Sequence, residues 1–513
     1  MEGQVAEIQR LRAGQAAEAL RKPAEAFEAY QQARKLSPAS ETAEQAWLAG
    51  TAILLTKGDT QKALETAAEF VAKNPKSTLL PYAELYRAEA LSRLERFDEA
   101  LKVYQLPLLQ EAATVQEATF GAAWCLDRLQ RPAEAAAAYE KVAGGGKGRA
   151  VEAAYLAARA YEQAKEFGKA RQAYAGIAAN EAQPEARRDE AAYREAYCAW
   201  QAKDAEGAVR SYTSMLTQRA DSPLAPQALY DLAWVLLEQD KHADAEARFR
   251  ELAKRFPTNA LAADVQFRLG ELAYERGDYA AAAAAYETAL KQPGISFAGE
   301  VRYKLGWTYE QLKRPDDAIN CFARLAADDP QGVRAPEARY RQARLLQEAG
   351  RHDQALAVLK EITEGTFAEH AALLRAESLR ATNRQREALE AYDHLLKTWP
   401  EGSFRLAGQL GRAHALRTVG AHKDALEAYS AVAATTPSES AAQATLGQGY
   451  CHFAMQQWDE AAKAFLKVDI LYGYENLKKE ALTQLALTWE KAGDADKAAR
   501  YRNELAQRYP EKP

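Results

Sequence analysis

A small residue followed by an aromatic one recurs along the whole chain and gives the sequence a period. An alanine is followed four residues later by an aromatic residue and often, twelve residues after the alanine, by a proline, as in Ala318, Phe322 and Pro330. Fourteen alanines follow this register, here called the anchors, and they are spaced 33 to 38 residues apart. The anchors are Ala26, Ala63, Ala100, Ala135, Ala170, Ala208, Ala245, Ala282, Ala318, Ala355, Ala388, Ala425, Ala461 and Ala498.

Two further positions keep the same register. Twelve residues before every anchor the side chain is small, and four residues after the anchor it is aromatic in eleven of the fourteen repeats. This pattern predicts two helices per repeat, joined by a short turn. Small residues on both helices allow the axes to approach to about 8 Å, and the aromatic residue lies one turn beyond the anchor on the same helix face.

The residues between the predicted helices fit this interpretation. Gly58-Asp59, Gly277-Asp278 and Gly493-Asp494 fall between the two helices of their repeats, where a glycine ends one helix and an aspartate caps the start of the next. Pro257 and Pro330 are among the prolines predicted to end the second helix.

The combined columns resemble the tetratricopeptide repeat (TPR) family. Leu305-Gly306, Tyr309, Ala318, Phe322 and Pro330 stand at the spacing of that motif. The resemblance covers essentially all 513 residues. It implies an all-α fold, a right-handed α-solenoid (superhelix) of about 14 TPR-like helix pairs, with function expected in protein–protein interaction.

Repeats that end in Phe256-Pro257, Trp399-Pro400 and Tyr509-Pro510 look like those of bacterial cell-envelope TPR adaptor proteins. This likeness favours a periplasmic location. The first residues lack a basic region followed by an apolar one, so the export signal is absent from this chain. A cytoplasmic location is the alternative.

A glycine-rich segment, 144–148, divides the predicted array. We expect repeats one to four in 1–143, a loop or hinge in 144–148, and repeats five to fourteen in 149–513. Arg502 occupies the aromatic position of the last repeat, which suits a polar C-terminal capping helix with no further repeat to cover it.

Charge and motifs narrow the function. The 67 Lys+Arg and 72 Asp+Glu residues give a net charge of −5, which argues against a general nucleic-acid binder. No apolar run is long enough to cross a membrane. Nucleotide, dinucleotide, zinc and nucleophile-elbow motifs are missing from the sequence, so we predict no cofactor, no metal site and no catalytic residue. His242, His352 and His422 lie three residues before anchors, which places them in the predicted inter-helix turn.

The strongest functional signal comes from three columns on the first helices, which in the TPR family line the concave face. Fifteen residues before the anchor, repeats four to ten all carry an aromatic residue, here called the stripe. The stripe is Phe120, Tyr155, Tyr193, Tyr230, Phe267, Tyr303 and Tyr340. One turn further along, the second row contains Trp124, Arg159, Tyr197, Trp234, Trp307 and Arg344. Another turn on, the third row contains Trp200 and Tyr274.

An acidic row accompanies the stripe, three residues before it: Glu117, Glu152, Glu190, Gln227, Asp264, Glu300 and Glu337. Two interpretations stay open. The stripe could be packing between repeats, with the acidic row simply favouring helix N-termini. Alternatively, the rings form a groove for a partner segment, because aromatic residues with polar tips dominate binding hot spots.

We therefore predict a non-enzymatic scaffold or adaptor that binds one or more proteins, through an extended segment with apolar and basic residues. The alternative is a glycan-binding or polysaccharide-export accessory protein of the cell envelope, because aromatic faces stack on sugar rings. An enzymatic or enzyme-regulating role is a third hypothesis, for which paired acids such as Glu271 and Glu275 would be candidates.

Overall fold

The computed structural model of the protein describes residues 2–110, 113–146, 148–435 and 437–510. Within these residues the chain forms 29 α-helices and no strand. It divides into two compact units, Met1–Asn259 and Ala260–Pro513, which are described separately.

The first unit contains repeats one to seven. Its helices are α1 (Glu2–Ala19), α2 (Pro23–Leu36), α3 (Glu41–Lys57), α4 (Thr60–Lys73), α5 (Leu80–Arg93), α6 (Phe97–Tyr104), α7 (Pro107–Gln110), α8 (Val115–Arg128), α9 (Pro132–Gly144), α10 (Ala150–Gln163), α11 (Phe167–Ala179), α12 (Glu185–Gln201), α13 (Ala205–Gln218), α14 (Ala225–Leu237) and α15 (His242–Arg255). Apart from the short α7, these helices form consecutive pairs, and each packs against the next helix of the series.

The second unit contains repeats eight to fourteen. Its helices are α16 (Ala262–Glu275), α17 (Tyr279–Leu290), α18 (Ala298–Gln311), α19 (Pro315–Asp328), α20 (Ala335–Glu348), α21 (His352–Leu359), α22 (Ala368–Ala381), α23 (Gln385–Thr398), α24 (Arg405–Thr418), α25 (His422–Ala433), α26 (Glu439–Ala454), α27 (Trp458–Leu471), α28 (Glu475–Lys491) and α29 (Ala495–Arg508). Each of these helices also packs against its successor. The predicted all-α solenoid of helix pairs is confirmed.

The sequence columns have a direct steric cause. All fourteen anchors are buried in second helices. A Cβ atom built on Gly306 of α18 would lie 2.7 Å from Cζ of Phe322 in α19, so the ring of the same repeat occupies the space beside the small residue. The next repeat closes the other side: a Cβ on Gly411 of α24 would lie 2.4 Å from Cζ of Tyr392 in α23. At these two places, small residues therefore leave room for the ring.

The turn between the two helices of each repeat contains one residue with positive φ. Five residues before each anchor, φ is positive in all fourteen repeats. Five of these residues are glycines, with φ from 71° to 86°: Gly58, Gly277, Gly350, Gly420 and Gly493. The other nine have φ from 57° to 64°: Arg21, Glu95, Gln130, Lys165, Lys203, Asp240, Lys313, Asn383 and Gln456.

The predicted helix ends are mostly confirmed. Asp278 and Asp494 accept capping hydrogen bonds from the backbone of Ala281 and Lys497, respectively. Asp59 stands at the N-cap position of α4, but its side chain makes no capping hydrogen bond, so that part of the prediction is wrong. The second helices α15 and α19 end two residues before Pro257 and Pro330, as predicted.

The histidine prediction needs a correction. His242, His352 and His422 are the first residues of the second helices α15, α21 and α25, because the turn ends earlier than expected, at the residue with positive φ. The predicted hinge at 144–148 includes Lys147, which lies outside the described residues. Helix α9 ends at Gly144 within that segment, and its role as a hinge stays a prediction.

Candidate partner-binding surface

In the first unit, stripe residues contact the repeat that follows them. Phe120 packs edge-on against Tyr139 with 5.3 Å between ring centroids, and the guanidinium carbon of Arg149 lies 3.4 Å above its ring. The hydroxyl of Tyr155 donates to Oε1 of Glu190 at 2.9 Å, so the stripe links first helices α10 and α12.

The next stripe residue, Tyr193, contacts a buried carboxylate, and Tyr230 follows it. The hydroxyl of Tyr193 donates to Oδ2 of Asp231 at 2.6 Å, and the side chain of Gln227 donates to Oδ1 at 2.9 Å. Burial nevertheless raises the pKa of Asp231 above its ordinary value. Tyr230 packs edge-on against Phe249, with centroids 5.8 Å apart. This part of the stripe therefore reaches into the core of repeats six and seven.

In the second unit the pattern repeats. The rings of Phe267 and Phe297 lie 5.7 Å apart, and Tyr340 stacks on Phe367 at 5.4 Å. The hydroxyl of Tyr303 donates to Oε1 of Glu337 at 2.9 Å. The stripe residues of this unit are thus also in contact with the following repeat.

One column that sequence reasoning missed explains how the rings are held. The residue 21 positions before the next anchor lies against the stripe ring in five places: Arg149, Arg187, Phe297, Arg334 and Phe367. The column mixes arginine with phenylalanine, so it has no single residue type to recognise. Its members share a task, because each places a planar group against the ring.

The acidic row is largely engaged within the protein. Glu190 and Glu337 accept the stripe hydroxyls described above, Glu152 pairs with Arg149 at 3.0 Å, and Glu300 pairs with Arg334 at 2.5 Å. Glu117 is exposed. These contacts support the packing interpretation of the stripe, while its role in partner binding stays a prediction.

The second row is more open in the first unit. Trp124 is 38% exposed, although it packs edge-on against Phe97 with centroids 5.4 Å apart. Arg159 is exposed. Tyr197 lies 6.5 Å from Trp200 of the third row, and the indole N–H of Trp200 donates to Glu238 at 2.8 Å. Further along the second row, Trp234 lies edge-on to the ring of stripe residue Tyr230, at 6.2 Å.

In the second unit, second-row residues are held by charged neighbours. The guanidinium carbon of Arg341 lies 3.5 Å above the ring of Trp307. Arg344 forms ion pairs with Glu310 and Glu348, each at 2.6 Å. In the third row, Tyr274 packs edge-on against Tyr279. The candidate residues of each unit therefore lie on its first helices in the predicted order.

A cavity lies beside the stripe of the first unit. It has a volume of about 360 Å³ and is lined by residues that include Glu190, Tyr193, Arg194, Pro223 and Leu224. Its volume lies at the lower end of the range found for ligand pockets, about 300–1,000 Å³.

Two further features bear on other functions. Among the described residues, no group of three or more His, Cys, Asp or Glu side chains is placed to hold a metal ion. Within the same part of the chain, no helix combines the length and apolar character that a membrane span requires.

Family comparisons agree with the repeat register. A tetratricopeptide repeat model matches residues 85–150, 230–296, 340–403, 373–440 and 410–476, which together cover more than half of the chain. Two other tetratricopeptide repeat models match residues 273–336 and 480–512. The chain belongs to the tetratricopeptide repeat family.

Several solved structures match this TPR protein at low sequence identity. A tetratricopeptide repeat protein from Parabacteroides merdae is 19% identical, covering 51% of this chain and 98% of its own, with a TM-score of 0.31. The C-terminal part of a TPR repeat-containing protein from Cytophaga hutchinsonii is 14% identical, covering 50% and 98%, with a TM-score of 0.36. YrrB, a TPR protein described as having an unusual peptide-binding site, is 19% identical, covering 38% and 96%, with a TM-score of 0.31. No curated protein matches the chain.

Proposed function

We propose that this TPR protein is a non-enzymatic scaffold that binds extended partner-protein segments on the first helices of repeats four to seven in the first unit and of repeats eight to ten in the second. Membership of the TPR family supports a role in protein interaction. The observation that carries the proposal is the second row, where tryptophans are fixed by neighbouring side chains yet keep part of their surface exposed. Trp124 is the clearest example, at 38% exposure.

Fixed aromatic side chains are suited to binding because little conformational entropy is lost when a partner covers them. Trp307 is held between the Tyr303 ring, 6.2 Å away, and the guanidinium of Arg341. Large amphipathic side chains in such settings carry most of the binding energy of protein interfaces. The second row is therefore the better candidate for partner contact, and the stripe is the support that positions it.

The contacts also refine the expected partner. Glu190 and Glu337 already accept hydroxyl hydrogen bonds, so basic partner residues gain less from the acidic row than its sequence suggests. Guanidinium groups cover one face of Phe120, Tyr303 and Trp307, which reduces the ring area available for stacking on a sugar. We therefore favour an apolar protein segment over a glycan.

Site-specific photo-crosslinking tests the proposal. A photoreactive phenylalanine at position 124 or at position 307 should each crosslink to a partner segment in cells, whereas the same group at position 458 should not. Trp458 begins the second helix α27 and packs edge-on against Phe453 at 5.2 Å, so it matches the other two sites in local packing. Equal crosslinking from all three positions would argue against a first-helix site.

A binding measurement with the captured partner completes the test. Trp124→Ala combined with Trp307→Ala should weaken binding by about 2 kcal/mol or more, with unchanged helicity by circular dichroism. Trp458→Ala serves as the matched control and should leave the affinity unchanged. Undiminished affinity in the double variant would contradict the assignment.

A further inference from the structure

Two exposed apolar residues end the second helix of repeat thirteen. Ile470 and Leu471, here called the apolar pair, are the last residues of α27 and are 67% and 60% exposed. Tyr474, in the turn to α28, is 37% exposed. Single apolar residues scattered over a protein surface are normal, whereas a contiguous exposed group points to a site of interaction.

Packing within the repeat array does not require apolar residues at these positions. The apolar pair stands nine and ten residues after the anchor Ala461. In eleven of the other thirteen repeats, the corresponding two residues include a charged or amide side chain. In the remaining two repeats they are Gly144-Gly145 and Ala434-Thr435. Two large aliphatic side chains at this place are therefore peculiar to repeat thirteen.

The turn that carries the apolar pair is held by contacts on both sides of it. Tyr472, the residue after the pair, is buried, and its hydroxyl is hydrogen-bonded to that of Thr445 at 3.3 Å. Asp469, the residue before the pair, forms an ion pair with Arg508 of α29 at 2.8 Å. The backbone on either side is thus fixed by neighbouring helices while the pair itself stays exposed.

Positive charge accompanies the apolar pair. Lys467 lies three and four residues before it on α27, and residues at that spacing share one helix face. Lys479 stands five residues after Tyr474, on α28. Both lysines are exposed. Among the described residues, neither lysine has a carboxylate oxygen within 4.0 Å of its Nζ.

The acidic residues of the same turn are already engaged. Besides the ion pair of Asp469, Glu475 pairs with Lys478 at 3.3 Å. Glu480 accepts a hydrogen bond from the hydroxyl of Tyr450. The two exposed lysines therefore remain as positive charge beside the apolar pair without a carboxylate partner in the described part of the chain.

We infer that the turn between α27 and α28 docks on the surface of a membrane that contains anionic lipids. The apolar pair enters the boundary between headgroups and acyl chains, and Tyr474 supplies the amphipathic ring that is enriched at that level. Lys467 and Lys479 meet the negative surface potential of the headgroups. Docking of this kind needs no helix that spans the bilayer, and it is independent of the proposed binding of a partner segment.

The size of the patch favours a membrane over a protein partner. Specific protein interfaces use about 20–30 residues on each side, whereas three exposed apolar side chains are offered here. For a membrane, full burial of one Ile or Leu side chain contributes about tenfold or more to partitioning, and each lysine near an anionic surface contributes about fivefold. We expect reversible association, as for a protein anchored by one acyl chain.

Co-sedimentation of the full chain with vesicles tests the inference. The unaltered protein should bind vesicles of equal parts phosphatidylcholine and phosphatidylglycerol, and should bind phosphatidylcholine vesicles at least tenfold more weakly. Ile470→Gln combined with Leu471→Gln should weaken binding to the mixed vesicles at least tenfold. The control Leu20→Gln, Leu36→Gln also removes two exposed leucines, of which Leu36 has the repeat position of Leu471. It should change binding less than twofold.

A second pair of variants tests the charge separately from the apolar pair. Lys467→Gln combined with Lys479→Gln should weaken binding to the mixed vesicles about tenfold or more. The control Lys463→Gln, Lys497→Gln removes the same charge from lysines of the last two repeats that already have carboxylate partners. It should weaken binding less than threefold. Circular dichroism should show unchanged helicity in all four variants.

Three results would overturn the inference. They are no binding of the unaltered protein to the mixed vesicles, equal weakening by the apolar variant and its control, and a concentration-dependent dimer in analytical ultracentrifugation that the apolar variant abolishes. The last result would assign the apolar pair to a second copy of the chain. The Trp124→Ala, Trp307→Ala variant should bind vesicles normally, so failure of the membrane site would leave the proposed second-row site standing.

Discussion

The hydroxyl of Tyr303 donates to Oε1 of Glu337 in the following repeat, at a distance of 2.9 Å. The same carboxylate oxygen accepts from Nε of Arg341 at 2.8 Å, and Arg334 lies 4.2 Å above the tyrosine ring. A single stripe residue thereby joins first helices α18 and α20. In repeat proteins, stability comes largely from such contacts between neighbouring repeats, which gives the stripe a structural task whatever it binds.

Replacing Tyr303 by phenylalanine tests this task. Tyr303→Phe removes the hydroxyl and keeps the ring, so we expect a loss of about 1 kcal/mol from the coupling of repeats nine and ten. Hydrogen exchange of amides in α18 and α20 measures the loss locally. Tyr82→Phe, at a tyrosine that is 39% exposed, is the control and should leave exchange unchanged. Equal exchange in both variants would mean that the hydrogen bond contributes nothing to repeat coupling.

The contact between Gly306 and Phe322 predicts the cost of a single methyl group. Gly306→Ala places a Cβ 2.7 Å from a ring that is fully buried, so the ring must shift to admit it. Overpacking of this kind costs about 1–3 kcal/mol, and thermal unfolding should show the loss.

Gly176→Ala is the matched control for that substitution. Gly176 lies inside α11 with nothing within 4 Å of its added Cβ. Alanine there should stabilise the protein by about 0.5–1 kcal/mol. The same direction of change at both glycines would contradict the steric account.

These contacts explain which features of the fold the sequence could predict. Helix pairing was predictable because the small and aromatic columns are two sides of one contact, as at Gly306 and Phe322. The column 21 residues before the next anchor was not predictable, because residues as different as Arg149 and Phe297 both pack against a stripe ring. The acidic row looked free in the sequence, since its partners, such as the hydroxyl of Tyr155, come from the preceding repeat.

The turns show the same limit. The dipeptide Gly277-Asp278 predicts its turn. A residue such as Lys165, with φ of 59°, also adopts the left-handed conformation, but its residue type does not indicate a turn. Its conformation is imposed by packing of the two flanking helices, because an isolated lysine avoids the left-handed region. Asp59 shows the converse, since its sequence context suits a cap that the folded chain does not form.

This imposed conformation predicts a stabilising substitution. Lys165→Gly removes the steric cost of a left-handed lysine, about 1 kcal/mol, and part of the gain is offset by the greater entropy of the unfolded chain. We expect a net stabilisation of about 0.5 kcal/mol in thermal unfolding. Lys467→Gly, in the interior of α27, should instead lose about 1 kcal/mol. Destabilisation by both glycines would show that packing has removed the cost at residue 165.

The environment of His414 predicts how stability depends on pH. Its pKa in the folded protein is lowered to about 4, first by burial and then by Arg380 and Arg417, whereas an unfolded histidine titrates near 6.5. Between these two values the unfolded chain binds more protons than the folded one, so the free energy of unfolding rises with pH in that window. The contribution is at most one proton, about 1.4 kcal/mol per pH unit. His414→Gln should remove this part of the slope in urea unfolding curves measured from pH 4 to pH 7, and the imidazole resonance that disappears in the variant should titrate near pH 4 in the unaltered protein. Identical slopes in the two proteins would contradict the burial of this histidine in its neutral form.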